Sequence, residues 1–442
     1  MEFSVIILAA GKGTRLKSEL AKPLHQVAGR PLIDWVIDAA TTAGCSHIMG
    51  VISPPPSDVS SHLEDRIELI TQSEQKGTGH AVLCGMQALA QLPPAQPVII
   101  LFADTPLITS QTISHLASLT AESSDLVVAG FETGNPSGYG RLKQTSDGLL
   151  EAIVEDADAS DDEKQIALVN GGVMAAKAGL LCELLPQLTA ANAQNELYLT
   201  DLVSLARTAR YHCSFITTSQ DELSGINDRA QLAQAEQHMQ LRLRQAAMAS
   251  GVTLLDPLSV YFSYDTQIAP DTLVEPHVFF GPGVTIGQHC HIKAFSHLEG
   301  SHLADRVTIG PFARLRPGTR LDDSVKIGNF VETKNSHFHA GAKASHLSYI
   351  GDADIGSEAN IGAGTITCNY DGFNKFKTVI GNGAFIGSNT ALVAPVSVGE
   401  GAVIGAGSTI TEDIRDNDLA LARSVQRSIR RGAEKLRAKK GK

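Results

Sequence analysis

Apolar and polar positions follow three different periods along this chain. From Met1 to about Asn227, short apolar runs (Val5–Leu8, Ile48–Ile52, Val98–Phe102 and Leu126–Ala129) alternate with segments of helical spacing. Such alternation predicts a mostly parallel sheet covered on both faces, and ligands of these sheets bind at the carboxyl ends of the strands. Residues 228–250 contain neither Gly nor Pro, and Leu232, Met239, Leu243 and Ala246 fall on one helical stripe. This segment reads as a single helix joining two domains. From Gly251 the period becomes six. Apolar residues recur at Ile268, Val274, Phe280, Ile286, Ile292 and Leu298, resume after a one-residue slip at Leu303, Ile309, Leu315, Leu321 and Ile327, and run again from Ile380 through Ile386, Leu392, Val398 and Ile404 to Ile410. Many are followed directly by Gly. A six-residue period predicts a parallel β-helix in which three hexapeptides make one triangular coil, with the apolar residue pointing inward. The fold class is therefore α/β plus β-helix: a first domain over 1–227, a linker helix over 228–250, and a β-helix with a C-terminal tail over 251–442. Solenoids need covered ends, and the linker helix and the basic C-terminal segment are the candidates to cover them.

Composition narrows the picture. A chain of 442 residues suggests two or three domains. The formal net charge of −11 gives no support to a nucleic-acid partner. The segment RRGAEKLRAKKGK is a local basic exception and reads as a solubilising tail. Cys45, Cys84, Cys182, Cys213, Cys290 and Cys368 have no CxxC spacing, so neither a zinc ribbon nor a disulfide framework is expected. The first residues run straight into a glycine-rich loop without a basic leader, and no apolar run approaches the roughly 20 residues of a membrane span. A cytoplasmic protein with reduced thiols, without membrane insertion, is the expectation.

Candidate chemistry in the first domain starts at Leu8. LAAGKGTRL follows the first strand, and Gly11 and Gly13 allow close backbone approach to a ligand. A strand feeding such a turn aims backbone N–H groups at phosphates. Arg15 and Lys22 supply positive charge where a triphosphate would lie. The spacing is neither GxGxxG nor GxxxxGK[ST], so a dinucleotide fingerprint and a P-loop are both excluded. LAAGKGTRL with a downstream Lys-Pro resembles the signature of the sugar-nucleotide pyrophosphorylases. QKGTGHA (Gln75–Ala81), LFADTPLI, GYGR (Gly138–Arg141), IVE (Ile153–Glu155), VNGGV (Val169–Val173) and INDR (Ile226–Arg229) follow in that family's order.

With the β-helix, the whole chain resembles the bacterial family of bifunctional N-acetylglucosamine-1-phosphate uridyltransferases / glucosamine-1-phosphate N-acetyltransferases. The resemblance implies a Rossmann-like nucleotide-diphospho-sugar transferase domain and a left-handed β-helix. It implies that Asp104 and Asn227 hold Mg²⁺, and that Gln72, Gly77 and Thr78 read the uracil of UTP. It further implies that Gly140, Glu155 and Asn170 bind N-acetylglucosamine, that Arg15 and Lys22 neutralise phosphates as catalytic residues, and that Leu8, Gly11, Gly13 and Asn227 complete the nucleotide-sugar contacts. The family usually has Pro-Lys-Val where this chain has Ala21-Lys22-Pro23, and Gly-Asp-Val where it has Ala103-Asp104-Thr105; both departures keep the charged residue.

In the second half the six-residue spacing is irregular between Thr333 and Ile380, and polar residues crowd in. Regular patterns break where function is expected. The block IGAGTITCNYDGFNKFKTVIG resembles the acetyltransferase signature of the same family. The resemblance places His346 at the catalytic histidine, and histidine has a pKa suited to taking a proton from an ammonium. It places Arg316, Lys334, Tyr349, Asn360 and Lys375 on the sugar phosphate, with Asn360 and Asn369 as orienting amides. It places Asn369, Tyr370, Ser388, Ala406 and Arg423 on acetyl-CoA. Ser345 stands where the family usually has Gly. His289, His291, His297, His302, His337 and His339 have no matching context and read as surface or stacking residues.

The resemblance thus implies two steps from glucosamine-1-phosphate. Acetylation by acetyl-CoA comes first, and joining of N-acetylglucosamine-1-phosphate to UTP follows. The product would serve peptidoglycan and lipopolysaccharide synthesis, and the active assembly would be a homotrimer with a shared acetyltransferase site. Three alternatives remain at this point. They are a single-function pyrophosphorylase with a structural or regulatory β-helix, a zinc-dependent carbonic anhydrase of the β-helix type, and a non-catalytic trimeric scaffold.

Overall fold

The apolar runs of the first half become the buried strands of one sheet because their β-branched and aliphatic residues face two covered sides. The computed structural model describes residues 2–11, 13–89 and 91–440, and the chain divides into two units, Met1–Gln240 and Leu241–Lys442. The first unit holds a nine-stranded sheet: β1 (Ser4–Leu8), β2 (His47–Ile52), β3 (Glu68–Thr71), β4 (Pro97–Phe102), β5 (Leu126–Glu132), β6 (Arg141–Gln144), β7 (Leu150–Val154), β8 (Leu168–Lys177) and β9 (Cys213–Thr217). The order is β9-β5-β8-β4-β1-β2-β3, with β6 paired to β8 and β7. Strand β1 runs parallel to β2 and β4, and β9 parallel to β5, but β8 is antiparallel to both neighbours. The sheet is Rossmann-like but mixed rather than uniformly parallel.

Period-two alternation assigns the faces. Val5, Ile7, Ile99 and Leu101 pack with helices Leu32–Thr42 and Ser110–Glu122. Ile6, Leu8, Val98 and Ile100 pack with Thr78–Ala88, Ala178–Leu184 and Asp201–Thr208 on the other side. The carboxyl ends of β1 and β4 lie side by side at the point where the strand order reverses. That is the expected place for a ligand.

The helix after the sheet spans Arg229–Ala249. Ala235 and Met239 are buried, and Leu243 and Ala247 pack on the β-helix core, whereas Ala246 is exposed. The buried line therefore runs on from Leu243 to Ala247 rather than to Ala246. Arg244 is buried beside it and donates from Nε to the Val260 carbonyl at 2.8 Å. This end of the helix closes the first coil of the second unit.

In that second unit the inward residues are buried at nearly every six-residue position, and three parallel ladders stack coil on coil. Partners lie 18 or 17 residues apart on most coils. The stretch that looked irregular keeps the same construction. Thr333, Phe338, Ala344, Ile350, Ile355, Ile361 and Thr367 all point inward and are almost fully buried. The irregularity has two causes. Steps of five replace six before Phe338 and Ile355, and a loop after Cys368 stretches one coil to 25 residues. Inward threonines find partners that aliphatic residues do not need. Thr367 Oγ1 donates to the Gly351 carbonyl at 3.0 Å, and Thr333 bonds Thr319 at 3.0 Å.

The basic segment near the C-terminus does not cover the last coil as expected. Residues 433–439 of helix Gly432–Lys440 are exposed, as are Leu421, Val425 and Ile429 before it. It carries Glu434, Lys435, Arg437 and Lys439 around a single large apolar residue, Leu436, so it has no stripe to bury. Gly441 and Lys442 of that segment lie outside the described residues.

Phe338 is fully buried among these stacked side chains. Phe338→Ala should destabilise the β-helix by about 3–5 kcal/mol, the usual cost of deleting a buried ring. Chemical denaturation followed by circular dichroism checks this.

Candidate active sites

A cavity of about 480 Å³ opens where β1 and β4 end. Leu8, Gly11, Lys22, Gln72, Gly77, Thr78 and Asp104 line it, together with Ala103 and Pro23. Its walls depend on glycine. Gly13 has φ 58°, and a Cβ there would lie 2.6 Å from Lys22 Cβ. Gly77 has φ 105°, and a Cβ would lie 2.7 Å from the Leu197 carbonyl oxygen. Any side chain at either position would displace the backbone or lysine stem that shapes the floor.

Charge converges at one corner of this cavity. The Lys22 ammonium pairs with the Asp104 carboxylate and donates to Asn227 Oδ1 at 2.9 Å. Arg15 donates to the same amide oxygen at 2.9 Å. Asn227 Nδ2 faces the Gly225 carbonyl, and its backbone N–H donates to Gln231 Oε1 at 2.6 Å, which holds Oδ1 toward the cations. Arg229 Nε donates to the Leu16 carbonyl at 3.2 Å and ties the INDR segment to the glycine loop. Residues from the two ends of the first unit are thus brought onto one carboxylate and one amide oxygen.

Gln72 is buried, and its Nε2 donates to the Gly77 carbonyl and to His80 Nδ1, both at 3.1 Å. Both amide hydrogens are spent, which leaves Oε1 as an acceptor. Thr78 Oγ1 accepts from Leu199 N at 3.1 Å. Gly140, Glu155 and Asn170 form a second group outside the cavity lining. Asn170 N donates to the Gly140 carbonyl at 2.7 Å, and a Cβ on Gly140 would sit 3.4 Å from Glu155 Oε2. Burial pushes the Glu155 carboxyl above the ordinary carboxylate range. Asp201 and Asp158 add to this, and a bond donated by Thr200 at 2.9 Å opposes it. Sequence reasoning passed over Gln75, although it stands in the quoted loop; its Nε2 donates to the Ala10 carbonyl at 2.6 Å.

In the β-helix, the expected residues fall into three groups. His346 is exposed on strand Lys343–His346, one coil from Asn329, and its Nδ1 lies 2.7 Å from Asn329 Oδ1. That oxygen can only accept, so Nδ1 carries the proton and Nε2 has the lone pair. Asn329 was not foreseen, though its spacing of 17 residues from His346 is the signal that finds it. The backbone carbonyl of Ser345 crowds the coil below, where Gly328 makes room: a Cβ there would be 1.9 Å away.

The second group is cationic. The Lys375 amine beside Lys334 pulls Lys334 below the ordinary lysine range, with Arg316 adding to the shift and Asp352 opposing it. Arg316 donates to Glu332 at 2.9 Å. Asn369 is buried and donates to Asp352, which also accepts from Asn335 at 2.6 Å. The Tyr349 hydroxyl lies over Gly351, where a Cβ would be 2.4 Å from it and 2.9 Å from Asn369 Nδ2. Tyr370 sits in the exposed loop, with its hydroxyl on the Gly372 carbonyl. Asn360 pairs with Lys343 in the ladder that carries His346. The third group is a column. Gly407 N donates to the Ser388 carbonyl at 2.8 Å, and Arg423 donates to the Ala406 carbonyl at 2.6 Å. His337 and His339, read as surface or stacking residues, are part-exposed with their rings 4.0 Å apart, and both converge with Asp322.

Residues 5–195 match the MobA-like NTP transferase domain family, and residues 377–412 match the bacterial transferase hexapeptide (six repeats) family. The chain is 49% identical to the bifunctional protein GlmU of Azorhizobium caulinodans over 441 residues, covering 99% of this chain and 98% of that protein. It is 46% identical to the bifunctional protein GlmU of Paramagnetospirillum magneticum, covering 99% and 97%. It is 44% identical to that of Zymomonas mobilis subsp. mobilis, covering 100% and 98%.

Two titrations test this geometry. Because the folded pKa of Glu155 is raised, ionising it costs stability as pH rises from its unfolded value through its folded one. Glu155→Gln should therefore melt above the parent protein at neutral pH, and the gap should close in acid; differential scanning fluorimetry across pH reads it. Lys334 should lose its proton below the ordinary lysine range, so phosphate-ester affinity measured by calorimetry should begin to fall at a lower pH than a single lysine would give. Lys375→Met should move that limb upward.

Proposed function

The chain belongs to the family of bifunctional GlmU proteins, and we propose that its two groups of residues carry the two transfers as follows. The protein is a uridyltransferase and an acetyltransferase: it acetylates glucosamine-1-phosphate and then joins N-acetylglucosamine-1-phosphate to UTP. Residues 1–227 would carry nucleotidyl transfer, residues 228–250 link, and residues 251–442 carry acetyl transfer. The observation that carries this reading is the coexistence of a cavity of about 480 Å³ with Lys22 and Asp104 in its wall in one unit and a histidine held by Asn329, with a separate group of cations, in the other.

In the first site, a sugar-phosphate oxygen attacks the α-phosphorus of UTP, and the bond to pyrophosphate breaks. Charge builds on the phosphoryl and leaving oxygens, so positioning and countercharge do most of the work. Arg15 and Lys22 face that charge. Gln72 Oε1 suits the N3–H of uracil, with Gly77 and Thr78 beside it, and Gly140, Glu155 and Asn170 would hold the sugar. The Asp104 carboxylate and Asn227 Oδ1 already converge on a cation, the Lys22 ammonium, so their two hard oxygens fit Mg²⁺. When bound, the metal would neutralise phosphate charge and orient the nucleotide.

In the second site, the glucosamine nitrogen attacks the thioester carbonyl of acetyl-CoA and the C–S bond breaks. His346 Nε2 takes the proton that the amine gives up and returns it to the leaving thiolate. Asn329 fixes the tautomer. Arg316, Lys334 and Lys375 would hold the phosphate, with Tyr349 and Asn360 on the sugar. Asn369, Tyr370, Ser388, Ala406 and Arg423 would contact acetyl-CoA. Stacked, exposed rings run along one edge at 4.9 Å (Phe295–Phe312) and 5.3 Å (Phe312–Phe330), toward Leu347 beside His346. This apolar ridge supports self-association, and we place the protein as a cytoplasmic homotrimer feeding envelope synthesis. Among the described residues no helix is long and apolar enough to cross a membrane.

His346→Ala should lose acetyl transfer by about 10²–10⁴-fold and keep uridyl transfer. Asp104→Asn should do the converse. Rates of CoA release and pyrophosphate release on each folded variant check the division; loss of both activities in one variant would refute it.

A further inference from the structure

Outside both sites, three coils of the β-helix bring four side chains into one row. His337 lies on strand Glu332–Phe338 and His339 follows it, two residues apart and therefore on one face, with their rings 4.0 Å apart. Asp322 comes from the coil before and Asp354 from the coil after. Asp322 Oδ1 is 2.9 Å from His337 Nε2, and Asp322 Oδ2 is 3.3 Å from His339 Nδ1. One ligand atom from each of Asp322, His337 and His339 lies within 4.8 Å of the others.

The second nitrogen of His339 decides how this row reads. His339 Nε2 is 2.8 Å from Asp354 Oδ1, whose other oxygen is held by Lys377 at 2.9 Å. A carboxylate can only accept, so Nε2 carries the hydrogen. In a neutral ring Nδ1 is then a lone pair, and it faces the lone pairs of Asp322. Something positive belongs between them. A proton on Nδ1 is one answer. A metal ion is the other, and a carboxylate bonded to the far nitrogen of a histidine is the usual support of a metal ligand.

We propose that Asp322, His337 and His339 form a binding site for a divalent d-block cation such as Zn²⁺, with Asp354 orienting His339. Two imidazoles and one carboxylate are the donor set such ions take, and the half-exposed position leaves water to complete the coordination. The ion would pin two successive coils and stabilise the folded chain by mass action. All three ligands come from one chain, so zinc in the purified protein would not by itself argue for carbonic anhydrase chemistry.

The test uses the full chain after dialysis against a chelator. Co²⁺ is titrated by visible absorption, with Zn²⁺ as competitor and in calorimetry. With excess Mg²⁺ present to fill the oxygen site at Asp104 and Asn227, the expected result is one Co²⁺ per chain with a nitrogen–oxygen ligand-field spectrum, displaced by Zn²⁺. His337→Ala and His339→Ala should each lose it, and Asp354→Asn should weaken it by about 10–100-fold. Both transferase activities should be unchanged in the three variants, which shows that they remain folded. Equal Co²⁺ binding by the parent and His337→Ala, or no spectrum in the parent, would overturn the proposal and leave a proton as the bridge.

Discussion

One inward side chain per six residues, stacked on its equivalent in the next coil, holds the second half of this protein in register. That stacking decides where every outward residue stands. Asn329 meets His346, Asn335 and Asn369 meet Asp352, and Arg423 meets Ala406, each pair 17 residues apart. A β-helix therefore builds sites in columns, and a residue is oriented by its neighbour one coil away. His346 depends on this most. It is exposed, and its tautomer is set by one amide that the coil geometry delivers. The coil that swells after Cys368 carries the loop with Tyr370 and Lys375, and regular ladders anchor this insertion on both sides.

The first half solves a different problem. A triphosphate needs countercharge, yet cations gathered without it would repel. Lys22 meets the difficulty by pairing with Asp104 and Asn227 Oδ1, and Arg15 shares the same amide oxygen. The oxygens that suit a metal and the cations that suit phosphates thus hold one another in place. In the β-helix Lys375 draws Lys334 below the ordinary lysine range, and Asp352 offsets this only in part.

Much of this was legible in the residues because both halves obey short periods. The strands of the sheet, the linker helix and the stacked positions of the coils follow from counting by two, by three and four, and by six. The glycine loop and the charged residues around it were legible because phosphate chemistry allows few alternatives. What escaped depends on distance across the fold. Thr333 and Thr367 look like interruptions until their hydroxyls are seen bonding inside the coil. The antiparallel course of β8 leaves no trace in an apolar run. Asp322 and His337 are 15 residues apart, and one shortened step between them, before Phe338, sets the register in which they meet. The C-terminal basic segment satisfied the need for a cap in principle but lacks the apolar stripe to act as one.

The central claim is that two chemically separate sites act in sequence, with acetylation before nucleotide transfer. The most direct measurement follows pyrophosphate release from UTP with either glucosamine-1-phosphate or N-acetylglucosamine-1-phosphate, each with and without acetyl-CoA. The account predicts release from the acetylated sugar in both conditions, and from the amino sugar only when acetyl-CoA is present and free CoA appears. Equal release from the amino sugar with and without acetyl-CoA, or acetyl-CoA left unconsumed while release proceeds, would contradict it.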